Sequence, residues 1–348
     1  MTSFGRPAFA VIYALGSAAL FGLSTPFAKS LLGNVSPWLL AGLFYLASGL
    51  GLGMFRLAWR GGEAGLNRHD IPWLGAAILS GGVCGPVLLM FGLTNTPASD
   101  TALLLNLESV LTLAIAWVVF KENVDRRLFI GAVAIVVGAV VLSWPGELEA
   151  ELGWGPILIA GACLAWAIDN NLTRKVSAAD PVQVAMLKGL VAGTANVGIA
   201  IAVGAQMPPV GFLAGAAVVG FLGYGVSLVL FVFALRHLGT ARTGAYYSLA
   251  PFIGAAAAIV MLGEQVTFPF LIGGALMAVG LWLHLTERHL HIHEHESMEH
   301  DHAHVHDEHH QHDHPFPVGP EPHSHVHQHG RLIHRHVHYP DLHHRHLH

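Results

Sequence analysis

Three ionisable side chains stand inside long runs that otherwise carry no charge. Glu108 falls midway along 99–120; Asp169 lies toward the end of 153–172, beside Asn170 and Asn171; Lys188 sits about two turns into 182–204. A charge placed in hydrocarbon costs roughly 2.5–3.5 kcal/mol on the mildest scales, so each must face protein or a water-filled hollow. A carboxyl at the depth of Glu108 can take up and release a proton, or hold a cation. The competing reading is a hydrogen-bonded Glu that fixes helix register, with Asn106 nearby. Asp169 and Lys188 have opposite signs and matching depths, which predicts an ion pair; a gate or substrate contact is the alternative. Tyr246 and Tyr247 precede Pro251 by about one turn and could line a cavity where that helix breaks. Trp117 and Trp166 suit lipid or core packing. Glu122 and Glu264 fall at the ends of runs, on opposite sides, where capping or anchoring is the expectation.

A second chemistry is concentrated in residues 287–348, which hold 23 of the 26 histidines. Histidine alternates with other residues at His289, His291, His293 and His295; at His300, His302, His304 and His306; and at His323, His325, His327 and His329. The pattern resumes at His334, His336 and His338, then at His343, His344, His346 and His348. Neutral imidazole binds Zn, Ni, Co and Cu, and alternate residues of an extended chain point the same way. Several exchangeable sites of modest affinity are expected; no cofactor is required. Neither H-E-x-x-H nor H-x-x-E-H occurs, so no zinc hydrolase is implied. Prolines 315, 317, 320, 322 and 340 and the scarcity of large apolar residues predict a disordered tail.

The elements that position these groups follow from composition. The 348 residues are 53% hydrophobic and 11% charged, against roughly 25% charge in ordinary soluble domains. A soluble α/β enzyme is excluded. Segments 8–31, 36–58, 71–93, 99–120, 127–144, 153–172, 182–204, 209–236, 240–263 and 267–285 each approach the 20 or so apolar residues needed to span a bilayer. Lipid cannot satisfy bare peptide groups, so the expectation is an all-α membrane protein with ten transmembrane helices. The first run reads as a span, not as a cleavable signal. Cys84 and Cys163 both fall within spans, so no disulfide framework is expected. Arg6, Arg56, Arg60, Arg68, Lys121, Arg126, Arg127, Arg174, Lys175, Arg236, Arg242 and Arg288 lie on one side, and only Lys29 on the other. The positive-inside rule then puts both termini, and the tail, in the cytoplasm.

The body repeats itself. A shift of 142 lays Thr101 on Thr243, Leu107 on Leu249, Glu122 on Glu264, Gly131 on Gly273 and Gly138 on Gly280; a shift of 144 lays Pro37 on Pro181. Two five-helix halves result, 8–144 and 153–286. Because five is odd, the second must be inverted, an architecture recurrent in secondary transporters. Leu105-Asn106-Leu107-Glu108 with Phe120-Lys121-Glu122-Asn123, and Leu249-Ala250-Pro251 with Leu262-Gly263-Glu264-Gln265, resemble the EamA repeat of the drug/metabolite transporter superfamily. That resemblance implies a ten-helix carrier or exporter of small metabolites. The family's proline is present as Pro251 but is Ser109 in the first half, preceded by Glu108 where the second half has Ala250.

No phosphate loop occurs, so transport would be powered by an ion or substrate gradient. The glycines at 81, 82 and 85, and the pairs Gly49/Gly53 and Gly211/Gly215, suit close helix packing. The leading expectation is a gradient-coupled carrier of a small organic molecule in the plasma membrane. A divalent-metal transporter and a non-transporting metal sensor are the alternatives. The bases are scattered and the tail is acidic, so nucleic acid is not an expected partner.

Overall fold

The computed structural model describes residues 6–58, 66–120, 124, 126–144, 153–173, 176, 180–286, 289–295, 298–304, 323–329 and 332–338. Among the described residues, eight helices are long and apolar enough to cross a membrane: Phe9–Leu32, Pro37–Leu57, Arg68–Thr94, Ala98–Val119, Arg126–Ser143, Val182–Ala202, Val210–Ala234 and Phe268–Leu285. Leu57, Val260 and Val210 are 84%, 83% and 80% exposed. Large apolar side chains turned outward in this way belong against lipid.

The first half comprises α1 (Arg6–Leu32), α2 (Pro37–Ala58), α3 (Ile71–Ala77), α4 (Gly85–Thr94), α5 (Ala98–Leu104), α6 (Leu107–Phe120) and α7 (Arg126–Ser143). The second comprises α8 (Trp154–Thr173), α9 (Pro181–Ala202), α10 (Val210–Gly220), α11 (Ser227–Tyr247), α12 (Ala250–Leu262) and α13 (Phe268–Leu285). α2 packs on α9, α7 on α13, α1 on α11 and α12, and α8 on α4 and α6. Glycine permits the close approaches. A Cβ on Gly131 would meet the Gly280 oxygen at 2.8 Å, and one on Gly138 the Gly273 oxygen at 2.8 Å. These two contacts exchange under the repeat shift and run in opposite order along α7 and α13. Equivalent helices therefore lie antiparallel, and the two copies are inverted. Gly42 against Val197 and Gly49 against Gly189 give the same order for α2 and α9.

Each half is interrupted twice at matching places. A π-helical turn, Ile78–Cys84, joins α3 to α4, and another, Phe221–Val226, joins α10 to α11. Such turns release a carbonyl from its ladder and recur at functional sites. The second interruption separates α5 from α6 at Leu105-Asn106, and α11 from α12 at Ser248-Leu249. Different chemistry makes the same break. Pro251 has no N–H for the Tyr247 carbonyl. In the first half the Asn106 amide donates to the Leu103 oxygen (2.8 Å) and the Ser109 hydroxyl to the Asn106 oxygen (2.8 Å).

Two expectations need correction. The gap expected between 236 and 240 is absent: α11 runs unbroken to Tyr247. His237-Leu238-Gly239 contains nothing that forbids a helix, whereas the equivalent turn in the first half carries Pro97. The tail, expected to be disordered, pairs in its described stretches. β1 (His289–His295) is antiparallel to β4 (Leu332–His338), and β2 (Met298–His304) to β3 (His323–His329). The alternation of histidine with other residues has the period of a strand. Glu122, His306, His343, His344, His346 and His348 lie outside the described residues.

Candidate substrate and coupling site

Glu108 opens the first turn of α6, just past the break. Its partner is Asn170 on α8, whose amide donates to Oε1 (2.8 Å) and also reaches Thr112 Oγ1 (3.4 Å). Asn170 and Ser109 are exposed and Glu108 is half-buried, although all three lie within apolar helices of the bundle. Polar groups at that depth are expected to face protein or a water-filled hollow and not lipid. The expected partner, Asn106, turns away: it is buried, and its amide reaches Leu103 O and, at 4.0 Å, Met277 Sδ. It serves the helix break instead, because its own backbone leaves the Leu103 carbonyl within reach. Asn171 is likewise structural, donating to the oxygens of Ala167 (2.8 Å) and Thr112 (3.3 Å).

The opposite charges of α8 and α9 meet. Lys188 Nζ donates to Asp169 Oδ1 (2.5 Å) and to Thr173 Oγ1 (2.9 Å), and the Thr173 hydroxyl donates to the same carboxylate oxygen (2.8 Å). Both side chains are largely shielded, at 17% and 11% exposure. Burying a charge is tolerable when a partner and further hydrogen bonds accompany it. Asp169 and Lys188 also act electrostatically on Glu108, so the ion pair and this carboxyl share one neighbourhood.

The ion pair rests on the first π turn. A Cβ on Gly81 would collide with Asp169 Oδ2, so the carboxylate occupies the place of the missing side chain. The Gly81 carbonyl accepts from Tyr45 Oη (3.0 Å) and Trp166 Nε1 (2.9 Å), and the Gly82 carbonyl from Asn196 Nδ2 (3.2 Å). Pro86 lacks the N–H that would otherwise bond Gly82. Helices α2, α8 and α9 thus supply donors to carbonyls the turn has freed. Asn196 Oδ1 remains buried and unpartnered.

Beside the charges, on the far side of the Tyr45 hydroxyl that bonds the Gly81 carbonyl, aromatic rings cluster. Tyr224, on the second π turn, lies 5.7 Å from Phe21, 5.6 Å from Phe44 and 5.7 Å from Tyr45, between ring centroids. Tyr247 packs on Phe21 (5.7 Å) and Phe231 (4.9 Å). Tyr246 is half-buried, and its carbonyl accepts the Leu249 N–H at the break that Pro251 follows. The sequence alone does not single out Tyr45, Tyr224 and Asn196; the signal that leads to them is the glycine cluster at 81–85. Among the described residues no three His, Cys, Asp or Glu side chains gather as a metal site.

The EamA-like transporter family matches residues 8–144 and 153–286, the two inverted halves. The chain belongs to that family. An "uncharacterized transporter" of Methanothermobacter thermautotrophicus is 26% identical over 296 residues, 80% of this chain and 86% of that protein. A "probable amino-acid metabolite efflux pump" of Salmonella typhimurium is 27% identical over 211 residues, 54% of this chain and 68% of that protein. A probable flippase subunit for 4-amino-4-deoxy-L-arabinose-phosphoundecaprenol, from Klebsiella pneumoniae, is 38% identical over 76 residues, 22% of this chain and 67% of that protein. One solved crystal structure shares the fold, with a TM-score of 0.58 at 18% identity over 80% of this chain and 96% of that one. The protein is accordingly an integral membrane protein of a transporter family.

Proposed function

We propose that the protein is a secondary-active exporter of a small organic metabolite and not an enzyme, working by alternating access across ten membrane crossings. Both termini lie in the cytoplasm of a plasma-membrane protein. Glu108 is the coupling or substrate-binding group, with Asn170 as its hydrogen-bond partner. The observation that carries this is the partly exposed Glu108–Asn170 hydrogen bond between two apolar spans, near a buried ion pair and the tilted rings of Tyr45 and Tyr224. The relative named as an amino-acid metabolite pump suggests amino acids and related amines as the first solutes to try.

The tail is an accessory metal-binding element for Zn, Ni, Co or Cu. The backbone register supports it, setting His289 opposite His338, His291 opposite His336 and His293 opposite His334. A second ladder sets His300 opposite His327, His302 opposite His325 and His304 opposite His323. The alternative of a divalent-metal carrier, or a metal sensor without transport, rests on that tail alone. Titrating the full-length protein with Ni(II) and Zn(II) tests the tail.

Proteoliposomes loaded with labelled amino acids and amines test the carrier. Wild-type flux should exceed that of empty vesicles and depend on pH, and Glu108→Gln should abolish the pH dependence. A Glu108→Gln variant with wild-type rate and pH profile removes Glu108 from the mechanism.

A further inference from the structure

At the end of the bundle where α1 finishes, two charged side chains close on one turn of chain. Lys29 Nζ donates to the carbonyls of Leu93 (2.6 Å), Thr94 (3.1 Å) and Thr96 (3.0 Å), the last of α4 and the turn beyond it. Gly263, with φ of 67°, bends the chain after α12 through a conformation that costs glycine nothing. Glu264 then accepts from the N–H groups of Ala98 (2.7 Å) and Ser99 (2.8 Å), which open α5. The cation sits at the negative end of one helix dipole and the anion at the positive end of the next. The two side chains attract each other, and Asp100 is the other acid that acts on Glu264. Glu264 belongs to the second half and α5 to the first, so this carboxylate ties the inverted copies together.

The opposite end is built differently. By the repeat shift Glu122 corresponds to Glu264, and the N–H groups of Thr240 and Ala241 correspond to those of Ala98 and Ser99. Residues 240 and 241 lie inside the unbroken helix α11. There each N–H is already committed to the carbonyl four residues earlier. One junction is opened and capped, and its counterpart is continuous helix.

The geometry points to a latch: Lys29 and Glu264 hold their end of the carrier shut by fastening the α4–α5 junction to α1 and to the chain after α12. They release it when the protein reorients. The latch rests on the carrier reading above, and its test needs no substrate.

In a Cys84→Ser, Cys163→Ser background, Ser109→Cys places one thiol beside Glu108. A membrane-impermeant maleimide is applied separately to each face of sealed vesicles. With the latch intact, labelling should come from the face opposite Lys29. Lys29→Met and Glu264→Gln should each raise labelling from the Lys29 face about tenfold, the worth of a charged hydrogen bond, and lower it from the other. A merely structural cap would not move the two faces in opposite directions. Should those variants fail to fold, Ala98→Pro decides, since it deletes one donor at a first-turn position where proline fits. Unchanged labelling from both faces in any folded variant overturns the latch and leaves Glu108-dependent flux untouched. Labelling that switches in a protein moving no solute supports the latch while sinking the exporter.

Discussion

The two inverted halves share a scaffold and differ in what they carry. Gly81 and Gly223 are repeat equivalents on the two π turns. Asp169 fills the space beside the first, and Ser24 the space beside the second, its Cβ 2.9 Å from where a Gly223 Cβ would stand. Glu108 corresponds to Ala250, and Ser109 to Pro251. Among the described side chains, the charges at the repeat-related crevices therefore lie where α8 meets α4 and α6. The matching crevice, where α1 meets α11 and α12, is walled in its described part by aromatic rings. Inversion supplies a frame able to exist in two related shapes. On the carrier reading proposed above, loading one crevice with charge would give the two shapes different affinities for a proton or an ion, the difference a gradient needs to drive the change.

The comparison is broken most severely by removing one member of the buried pair. Asp169→Asn leaves the Lys188 ammonium without its carboxylate, a loss of about 3–5 kcal/mol for a shielded pair. Thermal unfolding in detergent should show a large drop. Asp169→Asn combined with Lys188→Met should recover most of it, because no uncompensated charge remains. Ser24→Ala, at the neutral counterpart, should cost no more than about 1 kcal/mol, even though its hydroxyl donates to the Phe21 carbonyl. Equal losses at Asp169 and Ser24 would mean that the charge asymmetry has no energetic weight.

Adding a single methyl sharpens the contrast. Gly81→Ala must push Asp169 aside and should cost about 2–3 kcal/mol together with most of the flux; Gly223→Ala presses less closely, on the Ser24 Cβ and the Leu20 carbonyl, and should cost less. Gly138→Ala and Gly273→Ala serve as the symmetric control, since each Cβ meets the other's carbonyl, at 2.8 and 2.9 Å. Their losses should match, at about 1–2 kcal/mol each. A mismatch would show that the scaffold itself is unequal.

How much of this is legible in the sequence depends on the kind of signal. Long uncharged runs and the 142-residue shift reveal the spans and the inversion, because lipid leaves the backbone few choices. Asp169 and Lys188 can be paired from depth and sign alone. The partner of Glu108 cannot, because Asn106 is nearer in sequence while Asn170 is nearer in space. Helix α11 passes through 237–239 because local sequence permits a helix there and gives no sign of the interhelical forces that would open it. Lys29 reads in the sequence only as the stray base on its side. Its three carbonyl partners come from a turn more than sixty residues away.

The smallest effect tests how the first π turn is held. The Gly81 carbonyl accepts two bonds, from Tyr45 and Trp166, so neither donor alone is indispensable. Trp166→Phe should therefore cost about 1 kcal/mol, one hydrogen bond with its acceptor still satisfied. Trp166→Phe with Tyr45→Phe strands a carbonyl in an apolar interior and should cost more than the two single losses added together. That excess, read from a double-mutant cycle of unfolding temperatures, measures the coupling of α2 and α8 through one backbone oxygen. Strict additivity would mean that the turn stands without them, and that the charged crevice owes its shape to Asp169 and Lys188 alone.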